Sequence, residues 1–227
     1  MGGQACVFYG AAEFSRDLDL LILADATNVA NLKRALDALD AEAIAVPPLE
    51  ARHLLRGHAV HFRCRREDVA GLRIDLMSAL RGVASFEELW GRRTTIEVAG
   101  APIDLLAMAD LLRAKKTQRD KDWPMIRRLV EQSYFEHSAN ATQELVRFWL
   151  RELRSPELLV EAAGAHPGLA GAEAGFRPAV QAALAGRLDA VSEALEAEER
   201  EERRKDREYW APLKRELEEF RLGRGRK

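Results

Sequence analysis

The sequence has few of the features that mark secreted, membrane-bound or strongly basic proteins. It has only two cysteines, Cys6 and Cys64, in 227 residues, too few for a disulfide framework. No apolar run reaches the roughly 18 residues that a membrane-spanning helix needs, and no signal-peptide pattern is present. The formal net charge is −2, so no general basic field favours a polyanion. We therefore expect a cytoplasmic protein that does not interact with a membrane.

The composition is that of an ordinary globular protein, with 47% hydrophobic and 32% charged residues. Strand-like and helix-like patterns alternate in the N-terminal half, whereas from Leu105 onward apolar residues recur almost only at helical spacing. We predict an α+β fold: a small mixed β-sheet core flanked by helices over residues 1–104, a helical domain over residues 105–222, and a basic disordered tail over residues 223–227.

Two features of the helical half carry structural predictions. Residues 164–178 are rich in glycine, alanine and proline, which predicts a loop. Several aromatic residues fall in amphipathic helices, which predicts that they pack in the core. They are Trp123, Tyr134, Phe135, Phe148 and Trp149.

Three aspartates interrupt strands that are otherwise aliphatic. Asp17 and Asp19 lie in DLDLLIL and share one strand face, and Asp75 lies in RIDLM. A carboxylate at such a position is costly unless it is paired or binds a metal. Three carboxylates from neighbouring strands would form a set of hard oxygen ligands that suits Mg²⁺. The alternative is structural: aspartates at strand ends that bond to the backbone or to Arg16.

A glycine pair, Gly2-Gly3, precedes a short predicted helix over residues 4–12. Glycines allow a phosphate to approach the backbone closely, and N–H groups at a helix start favour its negative charge. A phosphate-binding turn followed by metal-binding aspartates indicates binding of a Mg²⁺–nucleoside triphosphate and transfer of part of it.

These residues, in this order, resemble the signature of the DNA polymerase beta-type nucleotidyltransferase superfamily. The resemblance is carried by the glycine pair, the Asp17-Leu18-Asp19-Leu20 strand and the later Ile74-Asp75-Leu76 strand. Relatives often carry an arginine two residues before the serine or threonine that precedes the first carboxylate strand, where this chain has Glu13. They also place an apolar strand or helix before the glycine pair, where this chain has Met1 alone.

A second region adds to the resemblance. Residues 105–129 are similar to the helix–loop–helix of bacterial minimal nucleotidyltransferases and abortive-infection type toxins. In that motif a lysine closes the first helix and a Lys-Asp pair opens the next, positions that Lys115 and Lys121-Asp122 take here. The resemblance as a whole covers about residues 2–130.

The resemblance implies transfer of a nucleoside monophosphate from a nucleoside triphosphate to an acceptor, with Mg²⁺ or Mn²⁺ as cofactor. It makes Asp17, Asp19 and Asp75 the metal-binding and catalytic residues. It also implies an RNA or protein acceptor and a cognate antitoxin-type partner. The residues that it places at the triphosphate are Gly2, Gly3, Ser15, Arg16, Lys115 and Lys121.

Other interpretations of the same residues stay open. The fold can be retained in a catalytically degenerate binding or regulatory protein, or the helical half can be a partner-binding module with purely structural aspartates. Lysines at helix ends are commonly solvated surface residues. Arginines near Asp75 indicate either an acceptor-binding strip for a polyanion such as RNA or a solubilising strand edge. They are Arg63, Arg65, Arg66 and Arg73.

Overall fold

The structure is a computed structural model that describes residues 1–224. The strands are β1 (Asp17–Leu21), β2 (Ala41–Ala43), β3 (Val60–Cys64), β4 (Arg73–Met77), β5 (Thr94–Val98) and β6 (Ala101–Leu105). The helices up to the last strand are α1 (Gly2–Phe8), α2 (Ala26–Ala38), α3 (Ala51–Arg56) and α4 (Phe86–Gly91). The later helices are α5 (Met108–Lys115), α6 (Asp122–His137), α7 (Gln143–Glu152), α8 (Pro156–Ala165), α9 (Pro167–Ala174), α10 (Pro178–Leu184) and α11 (Leu188–Arg224).

The main sheet has four strands in the order β1-β4-β3-β2. Strand β4 is parallel to β1 and antiparallel to β3, and β2 is antiparallel to β3. Strands β5 and β6 form a separate antiparallel pair. The predicted α+β class, with a small mixed sheet and flanking helices, is confirmed.

The four-stranded sheet has one apolar and one polar face, because side chains alternate along each strand. The apolar face packs with helices α2 and α3 in a core that includes Leu18, Leu20, Val29, Leu36, Leu54, Val60, Phe62, Ile74 and Leu76. The positions between them form the polar face. They are Asp17, Asp19, His61, Arg63, Arg73 and Asp75.

The chain forms two compact units. The first is Met1–Ala114 together with the chain from Arg207 onward, and the second is Lys115–Asp206. The predicted boundary lay at residues 104 and 105, so the structure adds most of α5 and the end of α11 to the unit that contains the sheet. In that unit Glu216 of α11 accepts a hydrogen bond from Arg56 Nε at 3.0 Å.

Helix α11 includes Gly223 and Arg224, the first two residues of the predicted tail. The remaining tail residues, 225–227, lie outside the described residues, and the prediction of disorder there stays a prediction. No helix within residues 1–224 is long and apolar enough to cross a membrane.

The loop prediction for residues 164–178 is wrong over most of its length, because residues 164–165 end helix α8, Pro167–Ala174 form helix α9 and Pro178 begins helix α10. Proline is well tolerated in the first turn of a helix, where its missing N–H has no partner to lose, and alanine is the strongest helix former. Packing completes the explanation, because Ala170 is buried and the Glu173 carboxylate accepts two hydrogen bonds from Arg151, both 2.7 Å long.

The prediction that the aromatic residues pack in the core is confirmed for three of them. Trp123, Tyr134 and Trp149 are buried. It is wrong for Phe135, which lies on the exposed side of α6 with 64% of its surface accessible. Phe148 is half-buried.

Candidate active site

The three predicted metal ligands lie on the polar face of the main sheet. Asp19 of β1 and Asp75 of β4 are register partners on neighbouring parallel strands, and Asp17 is opposite Arg73. Neighbouring strands are about 4.8 Å apart, so Asp19 and Asp75 project from adjacent points of one surface. The structure therefore brings residues that are more than fifty positions apart in sequence onto one face.

The glycine pair lies directly against Asp19. Gly2 has φ +66°, and a Cβ added to it would be 1.9 Å from the Oδ2 atom of Asp19. The Gly3 N–H donates to the same oxygen at 3.3 Å, and the Met1 nitrogen donates to the Asp19 carbonyl oxygen at 2.8 Å. Only a residue without a side chain allows the backbone to come this close to Asp19. The start of α1 therefore packs directly against β1 at its glycines.

Ser15 completes this corner of the first unit. Its hydroxyl donates to the Asp17 carbonyl oxygen at 3.1 Å, and its own carbonyl accepts a bond from the Gln4 amide at 2.9 Å. A Cβ on Gly3 would be 2.5 Å from the Ser15 Oγ atom. The structure thus places Gly2, Gly3 and Ser15 together beside the aspartates.

Arg16, the other predicted contact to the triphosphate in this segment, is exposed. Its guanidinium lies 5.8 Å from the centre of the Phe14 ring. Within residues 1–224 Arg16 forms no ion pair, so the part of the structural alternative in which Arg16 bonds to Asp17 or Asp19 is wrong. The part in which an aspartate bonds to the backbone applies to Asp19, whose carboxylate accepts from the Gly3 N–H.

Asp75 is held by two basic side chains on the same face. Its Oδ1 atom is 2.8 Å from Arg73 Nε and 2.8 Å from His61 Nδ1, and Arg73 Nη2 is 3.2 Å from that same imidazole nitrogen. The Asp75 side chain is 12% exposed and that of Arg73 39%. The third predicted metal ligand is therefore a largely buried carboxylate that already has a cationic partner.

The electrostatics of this group follow from those contacts. Burial alone would raise the pKa of the Asp75 carboxyl, but hydrogen bonds from His61 and Arg73 bring that pKa below its usual value. The hydrogen bond to Asp75 raises the pKa of the Arg73 guanidinium, and the charges of Asp75, Asp17 and Asp19 all add to the increase. Arg73 thus lies in the field of all three carboxylates.

The donor set suits Mg²⁺ or Mn²⁺ in chemistry, since all three candidate ligands are carboxylates on one surface. The arrangement is less favourable, because no three aspartate, glutamate, histidine or cysteine side chains among residues 1–224 converge as a metal-binding group. The Oδ1 atom of Asp75 already accepts from Arg73 and contacts His61. The other two candidates, Asp17 and Asp19, are half-buried.

The arginine strip considered from the sequence is mostly occupied by internal ion pairs. Arg65 pairs with Glu42 and Arg66 with Asp68. Arg63, one strand away from Arg73 on the polar face, is exposed and forms no ion pair within residues 1–224. A strip of four free arginines is therefore not present: of these four, Arg63 alone has no ion pair among the described residues.

The contact of His61 with Asp75 was missed from the sequence, although a signal for it was present. The HAVHFRCR segment alternates apolar and polar residues, and the alternation sets His61 and Arg63 opposite Val60 and Phe62. The alternation does not show which strand pairs with β3. The pairing of β3 with β4, which puts His61 opposite Asp75, appears only in the fold.

The predicted lysines belong to the second unit. Lys115 is buried, and its Nζ atom is 3.3 Å from the Oδ1 atom of Asp122. Asp122 also accepts hydrogen bonds from Thr117 at 2.6 Å and from Arg119 at 2.7 Å. Lys121 is exposed at the start of α6. The charge of Lys115 is therefore engaged within its own unit, and that of Lys121 is open to solvent.

The contacts of Asp122 predict that the stability of the second unit depends on pH. Burial would raise the pKa of its carboxyl, but the Lys115 charge, Thr117 and Arg119 bring that pKa below its usual value. A folded-state pKa below the unfolded value stabilises the fold above about pH 4, and the contribution is lost as pH falls through the folded pKa. We expect Asp122→Asn to destabilise the second unit by about 2 kcal/mol at pH 7 and by much less at pH 3. Amide hydrogen exchange in α6 at the two pH values measures this.

Asp120 supplies the matched control. It pairs with Arg203 but is 96% exposed, so Asp120→Asn is expected to change exchange by less than about 0.5 kcal/mol. An equal effect of both substitutions, or an Asp122→Asn effect that does not diminish at low pH, would contradict the assignment.

A comparison with known protein-family models finds no match for this chain, and no curated protein matches it.

Proposed function

We propose that this chain is a metal-dependent nucleotidyltransferase, which moves a nucleoside monophosphate from a nucleoside triphosphate to an acceptor and releases pyrophosphate. The observation that carries the proposal is the placement of three aspartates on one face of neighbouring parallel strands, with the glycine pair pressed against Asp19. The mixed sheet of β1, β4 and β3 supports a nucleotidyltransferase core as part of the same proposal.

Each residue has a defined task in this proposal. Asp17 and Asp19 bind Mg²⁺ or Mn²⁺, and Asp75 completes the set and orients the acceptor hydroxyl. The bound cation supplies charge stabilisation for the attacking and leaving oxygens. Gly2, Gly3 and Ser15, which lie together beside the aspartates, contact the triphosphate.

A catalytically degenerate binding or regulatory protein with the same fold is the second candidate. It is favoured by one specific observation, the 2.8 Å contact between Arg73 and Asp75. A guanidinium that neutralises the Asp75 carboxylate would keep the polar face of the sheet stable in a protein that no longer binds a catalytic metal there. This candidate predicts nucleotide binding without transfer.

The assay that separates the candidates incubates the full chain with Mg²⁺ or Mn²⁺ and each labelled nucleoside triphosphate in turn. Total tRNA and a mixture of proteins serve as acceptors, because the resemblance implies an RNA or a protein. We expect label in an acceptor with the native chain and none with the Asp17→Asn/Asp19→Asn double variant. Asp68→Asn, which alters an exposed carboxylate paired with Arg66, is the matched control and should keep activity.

Calorimetry with the same nucleotides completes the test. Transfer that persists in the double variant would show a contaminating enzyme. Nucleotide binding without transfer would favour the degenerate protein. If the full chain neither binds nor transfers nucleotide, both candidates are overturned, and the interpretation that remains is a helical half that serves as a partner-binding module.

A further inference from the structure

Arg73 is the basic side chain at the centre of the polar face. In the sheet it lies between Asp17 on β1 and Arg63 on β3, and it is two residues before Asp75 on its own strand. Its Nε atom donates to Asp75 Oδ1 at 2.8 Å. A guanidinium remains charged at every physiological pH, so this contact places a permanent positive charge beside the carboxylates.

Simultaneous binding of a divalent cation and this guanidinium to the Asp75 carboxylate is opposed by repulsion between the two positive charges. The Oδ1 atom already contacts both Arg73 and His61. A divalent and a univalent cation about 5 Å apart repel each other by more than about 1 kcal/mol even at the dielectric constant of water. Binding of a metal to the full set of aspartates is therefore weakened for as long as Arg73 stays at Asp75.

The Arg73 side chain can move into solvent, because it is 39% exposed. The Asp75 side chain is only 12% exposed and is held within the sheet. We propose that Arg73 is a built-in counter-cation, which a divalent metal must displace from Asp75 before the three aspartates act together. The inference rests on the proposed metal site, and it adds a regulatory step to it: the Arg73 side chain controls loading of the metal.

Metal binding to the full chain tests this without any assay of activity. Mn²⁺ is titrated by calorimetry into the native chain, Arg73→Gln and Arg63→Gln. Arg63 is the matched control, because it is the neighbour of Arg73 on the same face and carries the same charge without an ion pair. We expect Arg73→Gln to bind Mn²⁺ about tenfold or more tightly than the native chain. Arg63→Gln is expected to stay within about threefold, because solvent screens an exposed charge more strongly.

The outcomes separate this inference from the proposed function. The inference is supported if Arg73→Gln binds Mn²⁺ more tightly than the native chain and Arg63→Gln does not. It is also supported if Arg73→Gln binds Mn²⁺ and the native chain does not, a result that would favour the degenerate protein as well. Equal affinity of the native chain and Arg73→Gln overturns the inference and leaves the proposed metal site intact. An equal gain in both variants overturns it too, since it would reflect net charge alone. Absence of binding in all three chains overturns both proposals.

A second measurement needs no variant and so does not depend on the folding of Arg73→Gln. The Arg73 Nε–H signal of the native chain is followed by NMR as Mg²⁺ is added. Displacement from Asp75 predicts that this signal moves towards the position of a solvated arginine as the site fills. A signal that stays unchanged at saturating Mg²⁺ overturns the inference.

Discussion

Replacing Gly2 by alanine is expected to reduce the proposed nucleotide transfer by at least about 100-fold and to destabilise the packing of α1 against the sheet. The added Cβ would be 1.9 Å from Oδ2, 2.4 Å from Cγ and 2.6 Å from Cβ of Asp19, so rotation of the carboxylate alone does not relieve the clash. Either Asp19 or the start of α1 must move by an ångström or more. A displacement of this size at a catalytic group typically costs about two orders of magnitude in rate.

The φ of +66° at Gly2 adds a backbone penalty, which has to be separated from the clash. Gly71 provides the control, because it has φ +84° and no atom within 4 Å of an added Cβ. Gly71→Ala is expected to cost about 1 kcal/mol of stability and to leave transfer unchanged. Hydrogen exchange in α1 and β1 reports the structural effect, and the labelled-nucleotide assay reports the rate.

Gly2→Ala with unchanged transfer would show that contact of the glycine pair with Asp19 is irrelevant to the proposed activity. A similar loss in Gly2→Ala and Gly71→Ala would attribute the effect to backbone strain in general. Loss of α1 protection with retained Mn²⁺ binding would locate the role of the pair at the triphosphate and not at the metal.

The sequence pattern was enough to predict which side chains share a face of a strand, but not which strands pair with each other. Alternation within DLDLLIL, HAVHFRCR and RIDLM determines which side chains share a face of each strand. It does not show that β4 lies between β1 and β3, and that order is what brings His61 to Asp75. Arg73 lies two residues before Asp75 on the same strand, so alternation alone places it on that face. The side chains that share a face were therefore predictable, whereas the cross-strand contact of His61 with Asp75 was not.

Tertiary contacts also explain the differences in the helical half. Glycine and proline in residues 164–178 argue for a loop locally, but burial of Ala170 and the Arg151–Glu173 pair stabilise a helix there. Likewise, periodicity gave no reason to join the end of α11 to the sheet-containing unit. The contact of Glu216 with Arg56, 160 residues apart, lies beyond any local pattern.

Replacing Trp149 by alanine is expected to cost the second unit about 3–5 kcal/mol, the usual range for deleting a buried aromatic side chain. Trp149 is fully buried, and its ring meets Tyr134 edge-on with centroids 4.9 Å apart. Its Nε1–H donates to the Ser133 hydroxyl at 3.1 Å, so the substitution also removes the partner of a buried polar group. Such a loss is a large part of the 5–15 kcal/mol that typically stabilises a domain.

Phe135→Ala is the matched control in the same unit, because it removes an aromatic side chain that is 64% exposed, and it is expected to cost less than about 1 kcal/mol. Hydrogen exchange in α6 and α7 is the suitable measurement, since two compact units need not unfold in one transition. Trp149→Phe keeps most of the apolar volume and should recover about half of the loss. Equal effects of Trp149→Ala and Phe135→Ala would contradict the placement of Trp149 at the centre of the helical core. Loss of protection in β1 and β4 as large as that in α7 would instead show that the two units unfold together.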